Sequence, residues 1–340
     1  MRKTTLLLLF PAFMQVGHAL PEKRFVNLEL LIPSLEKKYD ARIGLAIHDF
    51  VQQASYQYRA LERFKLASIV KLFQAIHTLH MAEKGKLDLD TLIEIRPDMI
   101  SPGSGKIEYF VVHPGFKISY RNLLNAMLTL SETTASDIFF EKTGGPGALN
   151  AYLQKNHLEG IQVSRTLREI FIETRGYKQI PPPGKRNSEW WETRWNEIKK
   201  DKKLVERLNT MFHEDMRDTA TPQGGLDILL QLEHGRLLKS ETLQYLIQMM
   251  RRCATGNNRM RLGFPPESII ANKTGSWNND HYEYMADAGY VGFGKRRLAY
   301  AVFIETKLPE RHRPGLFSED AFVALALAIS RDLALDRPQP

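Results

Sequence analysis

At 340 residues, with 43% hydrophobic and 25% charged side chains, the chain has the make-up of a soluble globular protein and can bury one large core or two lobes. This excludes a disordered or low-complexity polymer, and a single cysteine excludes an internal disulfide. The net charge of +8 suits anionic partners such as envelope polymers or carboxylate substrates, and equally a basic solvated surface.

Met1-Arg2-Lys3 is a basic start, Thr4 to Met14 is an apolar run broken by Pro11, and Gly17-His18-Ala19 supplies small residues for cleavage. This pattern predicts a secretory signal peptide over residues 1–19 and an exported protein, periplasmic or secreted. The run is too short to span a bilayer comfortably, so no membrane span is expected after cleavage. Leu28 to Tyr39 has helical spacing, Arg42 to Phe50 alternates as a strand through Ile43, Leu45 and Ile47, and Ala54 to Arg59 reads as its hairpin partner. Ser68 then opens a helix to about Glu83. Pro97 to Gly105 is rich in turn residues, and Ser119 caps a predicted helix over Tyr120 to Leu130. After Ser131, itself in an N-cap position, a further helix reaches Lys142, and Pro146 to His157 forms another.

Residues 165–215 differ in composition. Pro181-Pro182-Pro183-Gly184 is a break, Ser188 to Trp195 concentrates three of the four tryptophans, and a basic run reaches Lys203. Aromatics interleaved with lysines suit stacking on bases or sugars, whereas tryptophans docked on a core beneath a solvated face are the commoner outcome. One helix is predicted from Trp195 to His213. Thr221-Pro222 is a good helix start, and Ser240 opens the helix that carries Cys253, read as structural. Ser268 to Trp277, Tyr284 to Phe293 and Leu298 to Thr306 read as three antiparallel strands, and Ser318-Glu319-Asp320 caps a final helix to about Leu335. The fold class is α/β (α+β). Residues 20–67 and 220–340 form one lobe, and residues 68–219 form an all-helical lobe between them.

Ser68 and Lys71 lie one turn apart on one helical face, beside first-turn N–H groups that have no intrahelical partner. Ser34-Leu35-Glu36-Lys37 has the same spacing, but inside a helix that precedes the sheet. Lys273-Thr274-Gly275 lies on a strand, where glycine marks close approach by another backbone. Lys142-Thr143-Gly144 has the same letters at a helix end, where the glycine is a C-cap. His77 and His80 lack a third ligand and no glycine-rich phosphate loop is present, so no metal, cofactor or nucleic-acid partner is expected.

Ser68-x-x-Lys71, Ser131 and Lys273-Thr274-Gly275, in this order, resemble the class A serine β-lactamases and the related penicillin-binding DD-peptidases. Leu124 to Ser131, Gly144 to Leu153, Arg217 to Pro222 and Asp287-Ala288-Gly289 extend the resemblance over nearly all of the chain after residue 19. It implies an antiparallel sheet flanked by helices from both chain ends. Ser68 would be the nucleophile and Lys71 its base, with a pKa lowered by burial and by Lys273. Ser131 would relay a proton to the leaving nitrogen, and Lys273 and Thr274 would hold the substrate carboxylate. The N–H groups of Ser68 and Ser276 would form an oxyanion hole worth roughly 3 kcal/mol per donor. The implied substrate is a β-lactam or acyl-D-Ala-like small molecule, met by a monomer, with peptidoglycan as the candidate polymer partner.

Two departures stand out. Ser131-Glu132-Thr133 replaces the family's Ser-Asp-Asn. Counting back from Asp218 puts Val205 at the family's deacylating glutamate, one residue from Glu206; Glu169 and Glu173 are further candidates. Three functions therefore stay open. One is a β-lactamase that hydrolyses its acyl-enzyme and confers antibiotic resistance. The second is a DD-peptidase-like or esterase-like acyl hydrolase with slow deacylation. The third is an envelope-polymer binding protein, which would have no need of Lys71.

Overall fold

The computed structural model describes residues 25–177, 188–309 and 318–334; the expected signal peptide and the Pro181 to Gly184 break lie outside them. Helix α1 (Val26–Tyr39) buries Leu28, Ile32, Leu35 and Tyr39 on one stripe and ends at Asp40 in a left-handed conformation. Strands β1 (Ala41–Asp49) and β2 (Ala54–Tyr58) form the expected hairpin. A two-residue strand β3 (Phe64–Lys65), too short for alternation to mark it, leads into a 3-10 turn (Ala67–Ile69) and then α2 (Val70–Glu83). Val70 to Leu79 are all buried, so α2 runs through the middle of the helices that follow.

Strands β4 (Leu92–Glu94) and β5 (Lys117–Ser119) pair across the turn-rich connection. Helix α3 (Tyr120–Thr129) is capped as expected, with Ser119 Oγ accepting from the Asn122 N–H at 3.2 Å. In α4 (Thr133–Thr143) the cap is Glu132, which accepts from the Thr134 N–H; Ser131 is not the N-cap, because its side chain is drawn elsewhere. Gly144, at φ 91°, ends that helix and accounts for the Lys142-Thr143-Gly144 match. Next come α5 (Gly145–Lys155), β6 (Ile161–Gln162) and α6 (Leu167–Thr174). The single helix expected from Trp195 to His213 is two, α7 (Ser188–Ile198) and α8 (Lys202–Glu214). Asp201 breaks it by capping the Leu204 N–H. Strand β7 (Thr219–Ala220) pairs with both β3 and β6.

Helix α9 (Pro222–Glu233) starts on the Thr221 cap, and α10 (Ser240–Arg251) precedes the buried Cys253. After α11 (Met260–Gly263) come β8 (Ile269–Asn278), β9 (Tyr282–Phe293), β10 (Arg296–Lys307) and finally α12 (Glu319–Asp332). Ser318 stands at the start of α12, but its hydroxyl goes to Thr306 and Glu283 rather than to the helix.

The main sheet is antiparallel in the order β2-β1-β10-β9-β8, with β8 at an edge. Its strands alternate between two cores. Ile43, Leu45, Ile47, Tyr300, Val302 and Ile304 face α1 and α12, whereas Ala46, Ala299, Ala301 and Phe303 face the helices that include α2 and α9. Full burial of such side chains contributes roughly 1.5–3 kcal/mol each. Asp332 of α12 accepts from Asn27 and Leu28, tying the two ends of the chain together.

Candidate active site

The site forms where the turn before α2, the turn before α4 and the edge strand β8 converge. Ser68 sits in the 3-10 turn, directly after Ala67 at φ 43°. Gly275 permits the approach of β8. A Cβ there would lie 3.1 Å from both the Leu66 carbonyl oxygen and the Ser68 nitrogen, and 3.2 Å from the Ala67 Cβ. The glycine of the strand motif thus lets β8 pack closely against the turn that carries Ser68.

Lys71 is completely buried and its amine is surrounded by oxygens. It lies 3.2 Å from Ser68 Oγ, 3.2 Å from Ser131 Oγ, 3.2 Å from Thr133 Oγ1 and 2.5 Å from the Ser131 carbonyl. Burial first, and the charge of Lys273 second, hold the Lys71 amine well below the ordinary lysine range, against the pull of Glu132 and Asp137. Lys273 is also fully buried; its Nζ donates to Ser131 Oγ at 3.1 Å and to the Thr274 carbonyl at 2.6 Å. Burial brings Lys273 to about 8, with Arg259 lowering it further and Cys253 and Asp287 opposing. Ser131 Oγ thus bridges the two lysines. Ser34, by contrast, donates to the Leu31 carbonyl, so its hydroxyl is spent on its own helix.

Thr274 Oγ1 shares a 2.5 Å hydrogen bond with Thr255, and Arg259 donates to the Gly275 carbonyl and to Ser276 Oγ. Nothing local in the sequence marks Arg259; the fold brings it beneath the strand. Glu132 and Thr133 also acquire definite positions. Glu132 accepts from the Lys106 and Ile107 N–H groups, and Thr133 Oγ1 from the Ser104 N–H. They hold the connection before β5 against the start of α4, and Thr133 lines the pocket.

The pocket in front of Ser68 is walled by α6, through Leu167, Ile170 and Phe171, with Phe212 and Trp277 beside them. Two carboxylates fix this wall. Asp137 accepts from the Leu167 and Arg168 N–H groups at 3.0 and 3.1 Å. Asp218 accepts from Ser164 and Arg165 N–H groups and pairs with buried Arg165 at 2.7 Å, closing the neck of the 165–215 segment.

None of the three candidate glutamates faces this pocket. Glu206 has a side chain 63% exposed and hydrogen-bonds His281 at 2.6 Å. Glu169 completes a capping box with Thr166, and Glu173 pairs with Arg165 and Arg217. Asp218 is the carboxylate among the described lining residues, and Arg165 occupies it. Counting back from Asp218 fails because α7 and α8 intervene. Counting forward from Arg165, the other half of the neck, leads at once to Leu167.

The tryptophans of the segment are engaged. Trp191 is buried against Tyr177, and Trp195 lies under the Arg175 guanidinium. His77 and His80 both flank the Tyr152 ring, and burial brings His77 to about 4, as befits a neutral packed imidazole. Among the described residues no cluster of metal-ligating side chains occurs, and no helix is long and apolar enough to cross a membrane.

A seryl hydroxyl, a deprotonable lysine, a bridging hydroxyl and a lysine–threonine–glycine edge strand together define a class of acyl-transferring serine enzymes. The chain belongs to the beta-lactamase enzyme family, whose model matches residues 27–333. It is 24% identical over 283 residues to beta-lactamase VEB-1 of Pseudomonas aeruginosa, covering 82% of each chain. An ancestral class A beta-lactamase structure matches with a TM-score of 0.70 at 23% identity, over 90% of this chain and 99% of that one. A mutant of PBP-A, solved as its acyl-enzyme complex with penicillin G, matches with a TM-score of 0.68 at 18% identity, over 91% and 96%. The fold is that of the class A enzymes.

Proposed function

We propose that this protein is a serine hydrolase that β-lactams acylate at Ser68, and that water releases the acyl group slowly. The observation that carries the reading is the Lys71 amine within 3.2 Å of both Ser68 Oγ and Ser131 Oγ, opposite an α6 wall made of carbon. Family membership supports β-lactamase-like chemistry, and the likeness to a PBP-A mutant that was captured acylated by penicillin G supports acylation by a penicillin.

Buried Lys71, held well below the ordinary lysine range, takes the proton from Ser68 as its oxygen attacks the lactam carbonyl. The developing oxyanion meets the N–H groups of Ser68 and Ser276. Ser131 passes a proton from the lysine pair to the leaving nitrogen, and charged Lys273 with Thr274 holds the substrate carboxylate. Hydrolysis of the ester then needs a base on the water side of the acyl carbonyl. Leu167, Ile170 and Phe171 supply none, so the acyl-enzyme persists. The natural donor is an acyl-D-Ala-like peptide, encountered outside the cytoplasm because residues 1–19 read as an export signal.

Intact-mass measurement after brief exposure to benzylpenicillin tests this. The expected result is one penicilloyl adduct on Ser68 that lasts for hours and is missing in Ser68→Ala. An unmodified protein that also turns over no chromogenic cephalosporin overturns the reading. Rapid turnover of that cephalosporin instead establishes an efficient β-lactamase and removes slow release.

A further inference from the structure

A second cavity, of about 270 Å³, opens beside the Ser68 pocket where the 165–215 segment meets the end of β8; Phe212 and Trp277 line both. Its polar lining is rich in donors. Arg175, just past α6, lies over the Trp195 ring at 4.0 Å and forms no ion pair among the described residues. Burial pulls its guanidinium below the usual arginine range, with Tyr177 and Asp280 pulling the other way. Asn209 of α8 is only 7% exposed, and its Nδ2 is buried without an acceptor. Asn279 is in the same condition, since its Oδ1 accepts from the His281 and Tyr282 N–H groups while its Nδ2 has no acceptor. Lys199 adds a second cation and Asp280 one carboxylate, so two positive charges face one negative.

We propose that this cavity is a subsite for a carboxylate at the far end of the acyl donor's side chain. The inference rests on Ser68 being the acylated residue. The topology supplies the path. Ser276 and Trp277 of the edge strand β8 line the catalytic pocket, and Trp277, Asn278 and Asn279 line the cavity. A donor with its carbonyl at Ser68 and its chain along that edge would enter the cavity that Arg175 lines. The surplus of one positive charge matches a monoanion. A planar guanidinium and two amide NH2 groups match the acceptors of a carboxylate, and buried donors of this kind favour a ligand that satisfies them. Trp195, Trp277 and Phe212 offer faces for an aliphatic linker. The inserted segment thereby acquires a role in choosing the donor.

The test uses the full chain and two penicillins, one carrying an adipyl group on its 6-amino nitrogen and the other the same group with its terminal carboxylate as a primary amide. The second-order rate constants for Ser68 acylation are read by intact mass at low salt. The acid is expected to react at least about tenfold faster, the scale of a charge-assisted hydrogen bond. In Arg175→Met the two rates converge to within about twofold, and in the isosteric Asn209→Asp the preference reverses. Equal rates in the unmodified protein overturn the subsite and leave acylation standing. Failure of both compounds to form an adduct overturns acylation instead. Calorimetry with adipic acid monoamide then decides the subsite: binding that Asn209→Asp abolishes supports it, and no binding to the unmodified protein removes it.

Discussion

Ser131 holds a φ of 58° and Ala67 a φ of 43°, so the site's two turns both place a side-chain-bearing residue in the left-handed region. Each costs on the order of 1–3 kcal/mol, which surrounding contacts must offset. At Ser131 those contacts are the two lysines, one holding its carbonyl and both holding its hydroxyl. Gly275 has the opposite task of leaving space. Gly275→Ala pushes β8 away from Leu66 and Ser68, and we expect Ser68 acylation to slow on the order of 10²-fold while the unfolding midpoint changes little. Lys273 sets a pH limit. Its ammonium is present below about 8 and lost above it, so the acylation rate constant falls as pH rises through that value. In Lys273→Arg, which stays charged, the alkaline fall in a pH–rate profile moves upward or disappears. Leu167 is the residue at which the proposed slow release is put to the test. Leu167→Glu puts a carboxylate in the pocket wall, and the acyl-enzyme lifetime should shorten by about 10²-fold or more, the scale of general-base catalysis, in a time course of intact mass.

Among the elements, α6 decides what Ser68 faces, and it is placed by the carboxylates of Asp137 and Asp218 rather than by its own eight residues. Asp218→Asn weakens the neck where Arg165, 5% exposed, would lose a charged partner. The expected cost is about 1.5–3 kcal/mol of stability, read by chemical denaturation, together with faster proteolysis within 165–215. This element is the least legible in the chain. The structure shows its start as a capping box at Thr166 and Glu169, and nothing local marks that the following helices are inserted between it and its anchor at Asp218. Register across an insertion has no local signal. An ungapped count from Asp218 points to Val205, next to Glu206, yet the chain does not respect that count, and Glu206 lies on the outside with His281. Helices α1 to α5, by contrast, follow from spacing and caps, because those signals are local.

At the scale of the molecule, both ends of the chain build one sheet and the middle builds the helices over the site. Gly289 shows how closely the edge is packed. A Cβ there would lie 2.1 Å from the Ala271 carbonyl oxygen, so Gly289→Ala must part β8 from β9. We expect a loss of about 3 kcal/mol in denaturant unfolding, the upper range for overpacking, and reduced acylation because β8 carries Lys273 to Ser276. Periodicity and motif spacing by themselves determined the long strands of the main sheet, helices α1 to α5 and the serine and lysines of the candidate acylating centre, because hydrophobic alternation, capping and a serine–lysine pair one turn apart are properties of neighbouring residues. Only the tertiary structure decided what surrounds that centre. Arg259 beneath the edge strand, the carbon wall of α6 and the donor-lined cavity at Arg175 all depend on contacts between segments far apart in the chain, whose pairing is set by packing and not by pattern.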